Sequence, residues 1–242
     1  MDKVSESSIG VVLIPGAGLN SWIWDLLIRE IHFPSLAVDL PGRGRHIAVS
    51  TKNLSLSDYV QTAASDIEEF CVEKIVIIAH SIGAVIGLEL ANRFKNRVVG
   101  MVVLSSAVPN VNESYASTMP FPMRMLMPLL LKLAGTLPPE AVIRKELCQD
   151  LSEEDASRVV NSFIPESSKL YTDKLKHSEL PDYRLYVRTT NDKTFGIKLQ
   201  MRASLSFGKV MEISSGHLPM ISHAKELSEI VNNFISAMVK II

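Results

Sequence analysis

The sequence predicts an α/β protein with a mostly parallel sheet, helices on both of its faces and a helical insertion before the last strands. Three observations carry this. Short apolar, β-branched runs alternate with longer segments whose apolar residues recur at helical spacing. The runs are continuously apolar, as strands buried on both faces are. The alternation breaks at Pro109 and resumes only after Leu180.

The runs 9–14, 35–38, 75–79 and 99–105 read as strands, and 21–31, 57–70 and 82–94 as the helices between them. Ser57 followed by Asp58 is the expected start of the second helix. The stretch 109–180 is helical in pattern, rich in Met and Pro, and holds no strand-like run. Strand patterns return at 184–188 and 209–213, and 224–239 closes the chain as an amphipathic helix. A single domain is expected over 1–242, with a core of 1–108 and 181–242 and a helical cap of about 109–180.

The bulk properties exclude several classes. Of 242 residues, 47% are apolar and 21% charged, the make-up of an ordinary globular protein. With 25 basic and 26 acidic side chains, the formal charge of -1 offers no phosphate-binding surface, so no nucleic-acid partner is expected. Cys71 and Cys148 fall in expected helical stretches without metal-like spacing, which fits a reducing compartment. The stretch Met1 to Ser8 is polar, and the run 9–14 is too brief for a signal-peptide core. No run reaches the ~20 apolar residues of a membrane span. The nearest, 119–133, is interrupted by Pro120, Pro122, Arg124, Pro128 and Lys132. A cytoplasmic location and a monomer or homodimer are the default expectations.

The most informative stretch is Ile75-Val-Ile-Ile-Ala79-His80-Ser81-Ile82-Gly83-Ala84. A buried strand runs through a sharp turn into a helix, which strains Ser81 and requires small residues two places before and after it. Ala79 and Gly83 meet that requirement. Such a turn projects the serine hydroxyl at the carboxyl edge of the sheet, where open α/β folds bind ligands. Ser81 is therefore the candidate nucleophile, although a serine at a helix start explains the same pattern more plainly.

Ile14-Pro15-Gly16-Ala17-Gly18 follows the first strand, and its glycines let backbone N–H groups face a ligand. The N–H groups of Ala17 and Ile82 are the candidate oxyanion donors. A dinucleotide loop fits worse, because a third glycine and a ribose-binding acid are missing. His217 lies in a loop between a strand and the last helix, so its imidazole can reach the sheet edge as a base. His80 is expected to point away from the serine's pocket, and His32, His46, His177 and His223 to serve on the surface or in packing. Asp192 follows the strand 184–188 to the same sheet edge and is the candidate orienter, while Asn191-Asp192 equally suits a plain turn. Asp182 precedes that strand, and Ser105-Ser106-Ala107 offers no acid after the strand 99–105. The chain order Ser, Asp, His favours Asp192.

The set Pro15-Gly16-Ala17-Gly18, Asp39-Leu40-Pro41-Gly42-Arg43-Gly44, Ala79-His80-Ser81-Ile82-Gly83, Asn191-Asp192 and Gly216-His217 resembles the α/β-hydrolase superfamily. The resemblance covers nearly the whole chain, least the cap, and is greatest to the branch of small esterases, plant methylesterases and hydroxynitrile lyases. It implies an α/β-hydrolase fold with an eight-stranded, mostly parallel sheet, a helical cap, no cofactor or metal, and an acyl-enzyme formed on Ser81. The expected substrate is a small ester, lactone or thioester with an apolar part. Pro15 stands where the family usually has histidine, and Ala79 replaces the first glycine of the elbow. A hydroxynitrile lyase of the branch needs lysine after the catalytic histidine, where this chain has Leu218. Dehalogenases and epoxide hydrolases of the fold use aspartate where this chain has Ser81. A carbon–carbon hydrolase, or a receptor-like binding protein with weak turnover, shares the same constellation. Gly16, Met119, Met123, Met127 and Leu218 are the expected pocket residues.

Overall fold

The computed structural model describes residues 8–241, so residues 1–7 of the polar N-terminal stretch lie outside the described residues. Six strands form one sheet among them: β1 (Ile9–Ile14), β2 (Ser35–Ala37), β3 (Lys74–His80), β4 (Val98–Leu104), β5 (Tyr183–Thr189) and β6 (Lys209–Ile213). Their order is β2-β1-β3-β4-β5-β6, with every pair parallel. The eight strands implied by the resemblance are thus six among the described residues. Successive strands are joined by crossovers rather than tight turns, so no antiparallel pair arises. The chain steps from β1 outward to β2, then returns to place β3 on the other flank of β1. That reversal opens a crevice beyond the carboxyl ends of β1 and β3.

Alternate side chains of each strand serve opposite faces of the sheet. Val12 and Ile14, with Ile75, Ile77 and Ala79, pack under α2 (Leu56–Glu69) and α3 (Gly83–Arg93). Val11 and Leu13, with Val76 and Ile78, pack against Trp24, α1 (Asp25–Glu30) and α10 (Ala224–Val239). The expected helix at 21–31 is a 3-10 turn, Ser21–Trp24, running into α1. The α2 helix is capped by Ser55 rather than Ser57. The Ser55 hydroxyl accepts from the Asp58 N–H while the Asp58 carboxylate accepts from the Ser55 N–H, a reciprocal cap worth about 1 kcal/mol. Cys71 and Cys148 are free thiols that lie just beyond the helices Leu56–Glu69 and Glu140–Glu146 rather than inside them, because the chain has already left helical geometry at Phe70 and after Glu146.

Between β4 and β5 run four helices, α4 (Met123–Ala134), α5 (Glu140–Glu146), α6 (Glu153–Asn161) and α7 (Ser168–Thr172), with no strand among the described residues. They lie over the carboxyl edge of the sheet. The α4 helix has no fully buried residue, and Met125, Leu129 and Leu133 face outward while Met127 turns inward. After β5 comes α8 (Ile197–Ala203), and α9 (Pro219–Ser222) precedes α10. Among the described residues, no helix is long and apolar enough to cross a membrane.

Candidate active site

β3 ends at His80 and α3 begins at Gly83, leaving two residues for the whole turn. Ser81 takes a φ of +50°, in the left-handed region that costs a non-glycine residue about 1–3 kcal/mol. The turn is held in place by its surroundings: the Ser81 N–H donates to the Leu104 carbonyl at 3.0 Å, and the Ser106 hydroxyl donates to the Ser81 carbonyl. A Cβ at Gly83 would sit 2.5 Å from the Pro15 carbonyl oxygen, so only glycine lets the elbow and the loop after β1 approach this closely.

That loop lies directly on the elbow. A Cβ on Gly16 would meet both the His80 ring and the Ser81 Cβ at 2.9 Å. Among the described residues, neither the N–H of Ala17 nor that of Ile82 donates a hydrogen bond. The next N–H, of Gly18, donates to Glu166 Oε1 at 2.9 Å. The same carboxylate oxygen accepts from Arg43 Nη2 at 2.6 Å, while Arg43 Nη1 donates to the Leu19 carbonyl at 2.7 Å. Tyr59 completes the set with a 2.8 Å bond to Glu166 Oε2. Burial first, and the Glu166 charge second, push the Tyr59 phenol far above its ordinary value, so it stays a donor.

His217 follows β6 in a loop pinned at Gly216, whose N–H donates to Asp150 Oδ2 at 2.6 Å. Its Nδ1 lies 2.7 Å from Asp192 Oδ2, with both side chains almost wholly buried. Asp192 sits in the turn after β5, and both of its oxygens are engaged. Oδ1 accepts from the N–H groups of Thr194 and Phe195, at 2.8 and 2.9 Å. Oδ2 also accepts from Thr189 Oγ1 at 3.0 Å and from the Ser105 hydroxyl. Burial alone would raise this carboxyl. The adjoining His217 and these donors outweigh it and hold Asp192 well below the usual carboxylate range.

Two neighbours of this pair were not singled out from the sequence. Ser105, at the end of β4, is fully buried with φ +47° and touches Asp192, so the position without an acid carries a hydrogen-bond donor instead. Tyr115 faces Ser81. Burial pushes its phenol up to about 12, against a side-chain hydrogen bond with Ser81 that pulls it down. His80, beside the serine, does not line the cavity. It is fully buried, and its Nε2 donates to the His217 carbonyl at 2.9 Å. Burial, then the neighbouring His217, push it well below its ordinary value, so it is a neutral prop behind the His217 loop. Of the remaining histidines, His46 pairs with Asp66, His177 with Glu89 and His223 with Ser222, and His32 stays exposed.

Ser81, Ile82, Ala17 and His217 share one cavity of about 320 Å³ beneath the four helices. Its apolar wall comes from Leu19, Met119, Met127, Val142, Ile143, Leu147, Phe163 and Phe195, with Tyr115, Tyr171, Thr136, Thr194 and Glu146 between them. Three expected pocket residues are not part of that wall. Leu218 is turned into the core under α10, Met123 is exposed at the start of α4, and Gly16 is covered by His80 and Ser81. A larger depression, about 470 Å³, between Ser55, Arg93, Asp173 and His177 contains none of these groups. Among the described residues, no three His, Cys, Asp or Glu side chains converge as metal ligands.

Comparison with known proteins agrees with this architecture. Over 106 residues the chain is 29% identical to a pimeloyl-[acyl-carrier protein] methyl ester esterase of Wigglesworthia glossinidia brevipalpis, covering 43% of this chain and 39% of that one. It is also 29% identical over 106 residues to an esterase of Mycobacterium tuberculosis, covering 44% and 35%. The chain thus matches less than half the length of these curated relatives. Among solved structures, an extracellular α/β-hydrolase from a Paenibacillus species superposes with a TM-score of 0.79 at 17% identity, over 93% of this chain and 98% of that one. A methylesterase from Arabidopsis gives 0.77 at 19% identity, over 94% and 99%. At these identities the likeness concerns the fold. Residues 11–230 match the model of the alpha/beta hydrolase family, and the chain belongs to that family.

Proposed function

We propose that this protein is a serine hydrolase that cleaves a carboxylic ester, lactone or thioester through Ser81, His217 and Asp192. The observation that carries the reading is the buried 2.7 Å contact of His217 with Asp192, beside a strained Ser81 on the wall of the same cavity. His217 takes the Ser81 proton as the hydroxyl oxygen attacks the substrate carbonyl. Asp192, ionised and bonded to Nδ1, holds the tautomer that leaves Nε2 free to act and stabilises the imidazolium. The N–H groups of Ala17 and Ile82 receive the oxyanion, each worth about 3 kcal/mol in the transition state. Collapse expels the alcohol or thiol with the proton returned by His217, and water repeats the sequence on the acyl-enzyme. The four helices over the sheet edge, within about 109–180, act as the cap of a single-domain enzyme and wall the apolar part of the substrate. The names of the relatives, esterase and methyl ester esterase, support the same chemistry.

A chain-length series of p-nitrophenyl esters, with wild type and Ser81→Ala, tests this. Turnover by the wild type that disappears in Ser81→Ala is expected. Turnover that survives the substitution sinks the assignment of the nucleophile. A wild type that turns over no ester, lactone or thioester points instead to a binding protein or a carbon–carbon-bond enzyme.

A further inference from the structure

The wall of the cavity is unequal in charge. Among the described residues no lysine or arginine lines it, and Glu146 is the one acidic residue that does. Two arginines on adjoining segments are committed elsewhere. Arg43 is locked against Glu166 at 2.6 Å, and Arg144 is tied to Glu140 and Glu153, each at 2.8 Å. Lys145 is 3.9 Å from Glu146 but three-quarters exposed, a loose pair of little energetic weight. The two phenols on the wall, Tyr115 and Tyr171, are pushed upward by burial and stay uncharged at neutral pH. Asp192, behind His217, adds a second fixed negative charge next to the reacting groups.

We propose that this cavity selects uncharged or cationic substrates over those with a second carboxylate, and that Glu146 is the residue that determines this specificity. The inference rests on the ester-hydrolase reading of the same site. A neutral acyl chain entering the cavity loses only its contact with water, which the apolar wall favours. A chain ending in a carboxylate must shed the hydration of that charge, finds no cation in exchange, and meets Glu146. Like charges brought together at a recognition surface are a strong source of discrimination. A terminal ammonium or amide N–H, in contrast, gains an acceptor.

Methyl hexanoate and monomethyl adipate present the same ester on chains of equal length and differ in the terminal carboxylate. The ratio of their kcat/KM values, followed by pH-stat at pH 8, is the readout, so a general loss of rate in a variant does not affect it. Wild type is expected to favour the hexanoate at least tenfold and Glu146→Gln to narrow the ratio at least threefold. Glu146→Lys is expected to bring it near or below one, and 1 M NaCl to narrow it in the wild type, as screening requires. A wild-type ratio near one, or a wide ratio that Glu146→Gln and Glu146→Lys leave unchanged, overturns the proposal. Ligand-observed NMR on Ser81→Ala with hexanamide and adipamic acid separates the two readings. If neither ester is turned over, ester hydrolysis fails, yet stronger binding of hexanamide that Glu146→Lys abolishes still upholds the charge selection. Equal binding, preference for adipamic acid, or no binding of either overturns it.

Discussion

Arg43 and Glu166 form a fully buried ion pair at 2.6 Å that ties the loop after β2 to the segment between α6 and α7, and the loop after β1 hangs from it. Glu166 accepts the Gly18 N–H and Arg43 donates to the Leu19 carbonyl. The residue just before these anchors is Ala17, which lines the cavity and whose N–H donates to no group among the described residues. The pair therefore couples the position of the helical segment to that of a candidate oxyanion donor.

Removing one member leaves the other as an uncompensated buried charge. Arg43→Met and Glu166→Leu are each expected to lower stability by about 3–5 kcal/mol, read by urea denaturation. The double variant is expected to recover most of that loss, because both desolvation costs vanish together. Its kcat on a p-nitrophenyl ester is nonetheless expected to stay about ten- to a hundredfold low, since the loop has lost its tether. Full recovery of kcat in the double variant shows that the pair does not position the loop.

Asp192→Asn keeps the shape of the turn but removes the charge that orients His217. On the proposed mechanism a fall in kcat of roughly 10⁴ is expected, the loss seen when the aspartate of a serine–histidine–aspartate triad is so replaced. Ser105→Ala removes one of the carboxylate's donors and is expected to have a smaller effect in the same direction. The stability of the folded chain offers a second readout. Because the folded-state pKa of Asp192 is depressed, its ionised form contributes stability above the unfolded value of ~3.9, and that stability is lost as pH falls through the folded value. The gap in unfolding free energy between wild type and Asp192→Asn is thus expected to be largest near pH 6 and smaller at pH 3. A gap that widens on acidification contradicts the assignment.

The parts of this site that the sequence revealed are those set by local geometry. A strand end, a small residue on each side of Ser81 and a helix start define the elbow within ten residues, and Gly83 is demanded by the Pro15 carbonyl oxygen, which any Cβ there would meet at only 2.5 Å. His217 and Asp192 could be placed because each follows a strand whose carboxyl end is known once the sheet is parallel. What was illegible depends on distance along the chain. Glu166 is a lone acid in a polar stretch until the fold brings Arg43, 123 residues away, against it. Ser105 has no signal beyond its place at a strand end, and its partner lies 87 residues on. Helical spacing puts Met123 and Met127 on one face of α4, but only the second of these turns reaches the cavity. The strand count came from resemblance alone, and six rather than eight strands are found among the described residues.

Tyr115 offers a separate check on the cavity. With its phenol held up to about 12, it stays protonated through the whole practical assay range and adds no limb to a pH–rate profile. A spectrophotometric titration at 295 nm is expected to show no ionisation from this residue below pH 10. Tyr115→Phe is expected to reduce kcat/KM less than tenfold, because it removes only a neutral phenol beside Ser81 while leaving His217 in place. A drop comparable with that of Asp192→Asn assigns the phenol a direct part in the proton transfers.

The strain at Ser81 can be measured through stability alone. At φ +50° a Cβ costs about 1–2 kcal/mol that glycine avoids. Glycine gives back part of this, about 0.4–1 kcal/mol, through the greater freedom of its unfolded chain. The balance still favours glycine by roughly half to 1 kcal/mol, which for a chain of this size is a rise of about 1–4 °C in Tm. Ser81→Ala and Ser81→Gly both lack the hydroxyl, so comparing their melting temperatures isolates the backbone contribution from the lost Tyr115 contact. Ser81→Gly is expected to be the more stable of the two, with both inactive on esters. An alanine variant that melts at the same temperature or higher means the elbow is relaxed, and the hydroxyl is then presented by packing around Leu104 and Ser106 rather than by a strained turn.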